Sequence, residues 1–375
     1  MKIKAAVINS VNEPYVMEEL NISEPNDNEL LVKMVASGMC HSDVAVRKGF
    51  NEFPLPIILG HEGSAIVEKV GSNVQGFEIG DHVVVSFGYC GQCDNCRTGI
   101  PGSCYDWSEI NMSATREDGS AYFTREDGTP VTRFFGQSSF STHSIVGSSS
   151  LTKIDKSLDL RLFGPLGCGF MTGSGAVLNG IKPEPGSTIA VFGTGAVGMA
   201  AMMAAKVAGC SKVIAVDIHE SRLDLAKQLG ATHVINSKNE NAQEQILALT
   251  SGRGVNYSVD TTGVGQVVRT AIEVLAVGGS IAPVAVGKDI TISTINDLAM
   301  KNRNIVGVLM GRAIPQLSIR QMVDFYEAGN FSFDKLVEYY SIDDINQAEA
   351  DSLSGKTIKP ILIMDESYQP EVAKS

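Results

Sequence analysis

The 375-residue chain is long enough for two domains, each with its own core, and its 43% hydrophobic content is ordinary for a globular protein. A formal net charge of −12 argues against nucleic acid or an anionic membrane surface as a partner. Met1-Lys2-Ile3-Lys4 does not open a signal peptide and no apolar run is long enough to span a bilayer, so a cytoplasmic protein is expected. The seven cysteines are clustered, which suits reduced thiolates that hold metal better than paired disulfides.

Up to about residue 160 the chain reads as a compact, mostly antiparallel β domain. Residues 3–8, 29–36, 64–70 and 82–87 are short β-branched runs separated by Gly, Pro and Asn. Gly38-Met-Cys-His-Ser-Asp43 is the first segment with chemical content; an isolated Cys40 would ordinarily be a small buried residue. Gly60-His-Glu-Gly63 is the second, and a lone His-Glu pair is as compatible with a structural role. Between Cys90 and Cys104 lies the strongest local metal signal, with Cys90, Cys93, Cys96 and Cys104 in one glycine-punctuated lobe. That spacing lets a loop wrap four sulfurs around a tetrahedral ion and leaves no position for a substrate. An iron–sulfur cluster would prefer a shorter last gap followed by Pro, and disulfides would need an oxidising compartment. The polar stretch 105–137, with Arg-Glu-Asp-Gly repeated at Arg116 and Arg125, reads as a long surface excursion. Residues 134–136 and 140–146 are expected to return to strand, and 148–150 with 153–159 to form a surface connection.

Pro165-Leu-Gly-Cys168-Gly-Phe170 is the third chemical segment. Two thiolates and an imidazole, from Cys40, Cys168 and His61, make a three-ligand zinc set with an open fourth position. After Gly186 the texture changes to the alternation of a doubly wound sheet. Residues 187–192 read as a buried strand, Gly193-Thr-Gly-Ala-Val-Gly198 as a tight turn, and 196–208 as a helix. In this pattern Gly193 permits the turn, Gly195 lets the backbone approach a pyrophosphate, and Gly198 lets helix and strand pack closely. A glycine-rich turn can be merely structural, but the next strand, 212–217, ends on Asp217 about 20 residues past the motif, where a carboxylate would take the adenosine ribose hydroxyls. A carboxylate there repels a 2′-phosphate, so NAD is favoured over NADP, with Arg222 close enough in sequence to reach the adenosine end. Strands are expected at 233–236, 255–260 and 280–286, with helices at 221–229, 243–249 and 264–275 between them. From Gly307 the rhythm stops; helices at 318–328 and 343–353 and a strand at 358–364 are expected to rejoin the first domain.

With these segments in hand, the chain resembles the zinc-dependent medium-chain alcohol dehydrogenases over nearly its whole length, and within them the aryl-alcohol (benzyl alcohol) dehydrogenase branch. The carriers are the segments around Cys40, His61 and Cys168, the four-cysteine lobe, the Gly193–Gly198 turn and the Asp217 strand. The resemblance implies an α/β protein: a doubly wound parallel-sheet (Rossmann) cofactor domain at 168–306, and a β-rich GroES-like catalytic domain from 1–167 and 307–375. It implies two zinc ions, a catalytic one on Cys40, His61 and Cys168 and a structural one on Cys90, Cys93, Cys96 and Cys104, with NAD as the cosubstrate. Glu62 would stand beside the catalytic ion, Asp43 would orient the His61 ring, and Ser42 would take the alcohol proton. Thr172 and Val197 match positions near the nicotinamide, Arg222 one near the adenosine, and His41 and Lys359 ones near the pyrophosphate. Ser86, Phe87, Phe134, Phe135 and Val286 match or adjoin positions lining the substrate pocket. A small alcohol or aldehyde is the implied partner, together with a second copy or more of the chain as a homodimer or homotetramer through an edge of the cofactor-domain sheet, at 279–286 or 304–310. Other substrates on the same fold are a terpenoid alcohol or S-hydroxymethylglutathione. A zinc-stabilised dinucleotide sensor without turnover is a further reading, against which Ser42 speaks, since a sensor needs no proton acceptor there.

Two positions depart from the family pattern. Ala45 stands where some members end the proton relay on a histidine, and His41 stands where an arginine is common. A histidine near its ordinary pKa is only partly charged, so NADH is expected to leave more readily as pH rises from about 6 to about 8.

Overall fold

The computed structural model describes residues 1–287 and 289–371. They form two compact units, one from Met1–Cys168, Ile314–Gln321 and the chain from Asp334 on, the other from Gly169–Ala313 and Met322–Phe333.

In the first unit, Lys2–Ile8 alternates exposed Lys2 and Lys4 with buried Ile3 and Ala5, the period-two pattern of a half-buried strand. Among the described residues, Lys2–Ile8, Val16–Ile22, Phe123–Thr124, Pro130–Arg133 and Ile57–Ile58 close in that order into a small barrel. A second sheet is built around Glu29–Gly38, which pairs with Gly63–Val70 and His143–Gly147. The late strand Lys359–Ile363 adds to it antiparallel, with Ile361 opposite Gly38. That pairing returns the C-terminal segment to the first chemical segment, where Met39 N–H donates to the Pro360 carbonyl at 2.9 Å.

The stretch 105–137 is not a surface excursion. Phe123 and Val131 are buried in barrel strands, and Asn111, Phe134 and Phe135 are buried as well. Each Arg-Glu-Asp-Gly copy is a turn, closed by Gly119 N–H to the Arg116 carbonyl and by Gly128 N–H to the Arg125 carbonyl. Their arginines tie back to the body of the unit, Arg116 to Glu29 at 2.9 Å and Arg125 to Glu18 at 2.9 Å. The polar residues that suggested solvent are turn residues and ion-pair partners, and the strands between them are too short to show a period. Residues 134–142 form a buried turn, with positive φ at Phe135 and Ser138, and the strand begins only at His143. Leu151–Lys153 is likewise a strand, paired with His82–Val85, where a connection was expected.

In the second unit, six parallel strands lie in the order His233–Asn236, Lys212–Asp217, Thr188–Phe192, Val255–Asp260, Leu275–Pro283, Asn304–Ile305. In chain order that is 3-2-1-4-5-6, the arrangement of a doubly wound dinucleotide-binding sheet. Its core joins Ala190, Phe192, Ile214 and Val216 to Ile246, Val268 and Ile272 from the helices. The fifth strand starts at Leu275, ahead of the expected Ser280, and leaves the sheet after Pro283, whose nitrogen cannot donate to a ladder. The outer strand is Asn304–Ile305; Leu275–Pro283 is internal and offers no edge.

The expected limits at 167/168 and 306/307 differ from these units because the loss of strand–helix rhythm after 307 marks the end of the sheet rather than of the core. A Cβ added at Gly311 would lie 2.2 Å from the Met171 carbonyl, and the Phe333 ring packs 5.2 Å from Phe170 and 5.0 Å from Tyr326.

Candidate active site

Strand Glu29–Gly38 ends two residues before Cys40, which caps the helix His41–Arg47. The fully buried Asp43 carboxylate accepts three N–H groups: Cys40 N at 3.0 Å, Gly60 N at 3.0 Å and His61 Nδ1 at 2.8 Å. With Nδ1–H given to Asp43, the inferred tautomer leaves the Nε2 lone pair of His61 for a ligand. Cys168 follows the single turn Gly164–Gly167, and one ligand atom each from Cys40, His61 and Cys168 lie within 4.8 Å of one another. The helix carrying Cys40 is anchored from behind by the Arg47–Glu349 ion pair, where Arg47 Nε donates at 2.8 Å.

The three donors perturb one another. A hydrogen bond from Cys168 holds the Cys40 thiol well below its ordinary range, although burial opposes this, and the same bond, reinforced by burial, pushes the Cys168 thiol well up. Burial disfavours charge on His61, yet Asp43 and the Cys40 sulfur hold its pKa well above the usual imidazole value. Two sulfurs and a ring nitrogen brought this close are the donor set of a zinc site, and metal binding would displace the protons they hold.

Glu62 is buried with its pKa raised by desolvation, and Lys359 Nζ donates to both its oxygens, at 2.8 and 3.0 Å, and to the Met39 carbonyl at 3.1 Å. Lys359 was expected near a pyrophosphate, and its bond to Glu62 leaves that expectation open. Its amine reaches Glu62 because the strand Lys359–Ile363 runs beside Met39. The Ser42 hydroxyl lies 3.7 Å from the Cys40 sulfur, and His41 is exposed at the start of the same helix.

Of the expected pocket residues, Phe134 and Phe135 pack on the His61 ring, with centroids 5.6 Å and 4.8 Å away. Ser86 donates its hydroxyl to the Gly167 carbonyl at 2.6 Å, next to Cys168. Phe87 is fully buried with its ring 6.2 Å from Tyr89, and Val286 belongs to the second unit, largely exposed. Two aromatic residues were missed by sequence reasoning. Phe53 packs on Phe134 at 5.4 Å and Trp107 on Phe135 at 5.7 Å. No local pattern marks either one.

In the lobe, Cys90, Cys93, Cys96 and Cys104 bring four sulfurs within 4.8 Å of one another, all unbridged. Sulfur–sulfur separations of 3.4 Å for Cys90–Cys104 and 4.0 Å for Cys90–Cys96 and Cys93–Cys104 bracket the spacing of about 3.8 Å that tetrahedral zinc–sulfur bonds of about 2.3 Å require. Backbone N–H groups of Cys96 and Tyr105 hold the Cys93 thiol at about 6, while burial and the neighbouring Cys93 sulfur push Cys96 up to about 12.

In the second unit, Gly193 has φ +86°, and a Cβ at Gly198 would lie 1.9 Å from the Gly193 carbonyl. A Cβ at Gly195 would meet nothing within 4 Å, and Gly195 caps the helix Ala196–Val207 with no side-chain hydrogen bond to its first N–H groups. The helix end is therefore open to an anion. Asp217 accepts from Thr194 N–H and hydroxyl, both at 2.7 Å, and from Ile218 and His219 N–H groups at 2.7 and 2.9 Å. Burial pushes its carboxyl up, but these bonds hold it below the usual range and so ionised. Arg222 Nε is buried without a hydrogen-bond partner among the described residues. A Cβ at Gly173 would lie 2.0 Å from the Val197 carbonyl, so the helix Gly169–Gly175, which carries Thr172, packs closely on the start of Ala196–Val207. This cradle fits a dinucleotide.

Fold and site together define a zinc-site oxidoreductase with a dinucleotide-binding sheet. Residues 26–155 match the alcohol dehydrogenase GroES-like domain and residues 196–328 the zinc-binding dehydrogenase domain. The chain belongs to the zinc-dependent medium-chain alcohol dehydrogenase family. It is 38% identical to geraniol dehydrogenase of Castellaniella defragrans over 96% of this chain and 97% of that protein. Its fold is similar to the crystal structure of benzyl alcohol dehydrogenase from Acinetobacter calcoaceticus, with a TM-score of 0.93 and 42% identity over 97% of this chain and 100% of that one. A zinc-binding-domain alcohol dehydrogenase from Burkholderia ambifaria has a TM-score of 0.94 and 40% identity, covering 98% and 100% of the two chains. The protein is accordingly an alcohol oxidoreductase.

Proposed function

We propose that the protein interconverts primary aromatic or allylic alcohols and their aldehydes with NAD, using one catalytic and one structural zinc ion per chain. The observation that carries this reading is the convergence of Cys40, His61 and Cys168, with His61 held by Asp43 at 2.8 Å and the Ser42 hydroxyl alongside. A zinc ion on these three ligands would act as a Lewis acid, lowering the pKa of an alcohol hydroxyl in the open fourth position. Ser42 takes the proton of that hydroxyl, and Asp43 keeps the His61 ring in one tautomer and attitude. Phe134 and Phe135 present flat apolar faces beside His61, suited to an aromatic ring or an allylic chain, and keep water from the reacting carbon. NAD would supply the hydride acceptor; Asp217 takes the ribose hydroxyls and the Gly193–Gly198 turn admits the pyrophosphate.

The names of the geraniol and benzyl alcohol relatives fit an allylic or aromatic substrate. The chain's small-molecule partner is thus an alcohol or aldehyde. We further infer a homodimer or homotetramer through the outer strand Asn304–Ile305, around which Ile305, Leu309 and Met300 are exposed. No helix among the described residues is long and apolar enough to cross a membrane, and a cytoplasmic location belongs to the same proposal.

The test is NADH formation by purified protein with benzyl alcohol, geraniol, ethanol and S-hydroxymethylglutathione, with zinc measured on the same sample. Two zinc ions per chain and kcat/KM for benzyl alcohol or geraniol far above that for ethanol are expected. A preference for another alcohol would discard the substrate class. One zinc and no turnover with any of them would favour a dinucleotide sensor.

A further inference from the structure

Trp107, the sole tryptophan of the chain, stands between the four-cysteine lobe and the three-ligand set. It opens the helix Trp107–Met112, and its N–H donates to the carbonyl of Cys104, the last sulfur ligand of the lobe, at 3.1 Å. Four residues on, the fully buried Asn111 clamps the helix to the other end of the lobe: it accepts from Gly88 N–H at 2.8 Å and donates to the Gly88 carbonyl at 2.9 Å, two residues before Cys90. The helix is therefore held at both ends of the loop that carries the cysteines.

On its inner side the Trp107 indole meets Phe135 edge to face, at 5.7 Å and 79°, and Phe135 lies against the His61 imidazole at 4.8 Å. Phe135 has little freedom to absorb a shift. It sits at φ +52°, a conformation that costs a non-glycine residue energy, in a turn pinned by Gln137 bonding Gly63 N–H at 3.2 Å and the His61 carbonyl at 3.1 Å. The indole Nε1 is buried without a hydrogen-bond partner among the described residues, so packing is what the ring contributes there.

We propose that Trp107 is a positioning residue through which the metal-loaded lobe, by way of Phe135, backs the His61 ring that Asp43 orients. The lobe then does more than stabilise its own loop, because its geometry bears on the affinity of the three-ligand set. This rests on the reading of both cysteine clusters as metal sites.

The test follows metal leaving the loaded, full-length enzyme into a chromogenic chelator. Cys168→Ser, which lacks one of the three ligands, identifies the release phase that belongs to the lobe. Trp107→Ala should accelerate the phase from the three-ligand set about tenfold, the lower end of what loss of a ligand-orienting group costs. Trp107→Phe, which forfeits no side-chain hydrogen bond, should restore wild-type release within about twofold. Phe135→Ala should match Trp107→Ala, and the double variant should be no faster than either single one, because both lie on one path. Where Trp107→Ala fails to fold, Trp107→Leu keeps an apolar side chain without a flat ring and should show the same acceleration. In wild type, stripping metal from the three-ligand set alone should shift tryptophan emission, and Phe135→Ala should abolish that shift.

Unchanged release from Trp107→Ala or Trp107→Leu, or additive effects in the double variant, would overturn the proposal. So would a Trp107 variant that raises KM for alcohols alone, since that marks a pocket wall. A wild type that releases metal just as Cys168→Ser does would overturn the metal reading and this proposal with it.

Discussion

Asp43 shows how one side chain organises the site. Its two oxygens accept from Cys40 N, Gly60 N and His61 Nδ1, so it binds two of the three proposed metal ligands directly. In Asp43→Asn the amide NH2 must face at least one of these donors. That variant is expected to lose roughly 10–100-fold in affinity for metal at the three-ligand set while the lobe keeps its own ion. Metal content after graded dialysis checks this, and undiminished retention at both sites would contradict the role given to Asp43. In the proposed function Asp217 has the corresponding part for the cosubstrate. Asp217→Ser should weaken NADH by about 1.5–3 kcal/mol, roughly 10–100-fold, with NADPH much less affected. Paired fluorescence titrations with the two dinucleotides read the difference.

At the scale of elements, the strand Thr188–Phe192 and the helix Ala196–Val207 approach as closely as they do because Gly198 has no side chain. Gly198→Ala would set a methyl 1.9 Å from the Gly193 carbonyl and push the helix off the sheet. A loss of about 1–3 kcal/mol in unfolding free energy is expected, with weaker NADH binding, both measurable in one denaturant series with and without cosubstrate. The strand His82–Val85 carries a pH dependence. His82 is buried, Nδ1 has no partner, and burial holds its pKa below the ordinary imidazole value; Glu371, Asp155 and Asp81 oppose that shift while Lys156 reinforces it. The unfolded chain then takes up a proton that the fold resists. The contribution is complete above the unfolded pKa of about 6.5 and is lost as pH falls from there through the lower folded value. Relative to wild type, His82→Gln should flatten the unfolding free energy across that acid window. Parallel curves would remove His82 from the account.

For the molecule as a whole, the proposed self-association rests on the outer strand Asn304–Ile305 of the six-stranded sheet. Ile305 is 37% exposed, Leu309 49% and Met300 76%, a set of apolar side chains around an outer strand with unpaired backbone groups. Ile305→Lys is expected to shift the protein toward monomers in sedimentation velocity. A wild type that is already monomeric at micromolar concentration would refute self-association through this edge.

Local order was legible wherever the signal repeats over a short stretch. Lys212–Asp217 was placed to the residue because a buried parallel strand is a continuous apolar, β-branched run, and His233–Asn236 and Val255–Asp260 because they follow it in the strand–helix alternation. The glycine turn, Asp217 and the four cysteines were visible because each lies within a few residues of its partners or at a set distance from a strand. Cys40, His61 and Cys168 could be grouped from sequence only by analogy, since no local period relates positions 40, 61 and 168. Their convergence is decided by sheet pairing and the turn at Gly164–Gly167. The same holds for the barrel strands inside 105–137, the Lys359–Glu62 pair, and the rings of Phe53 and Trp107 behind His61. Sequence by itself determined which segments fold locally and which side chains carry chemistry, because spacing along the chain sets turns, periods and loop-borne ligands. Only the tertiary structure decided which distant segments meet, because those contacts depend on burial and pairing between residues as far apart as Glu62 and Lys359.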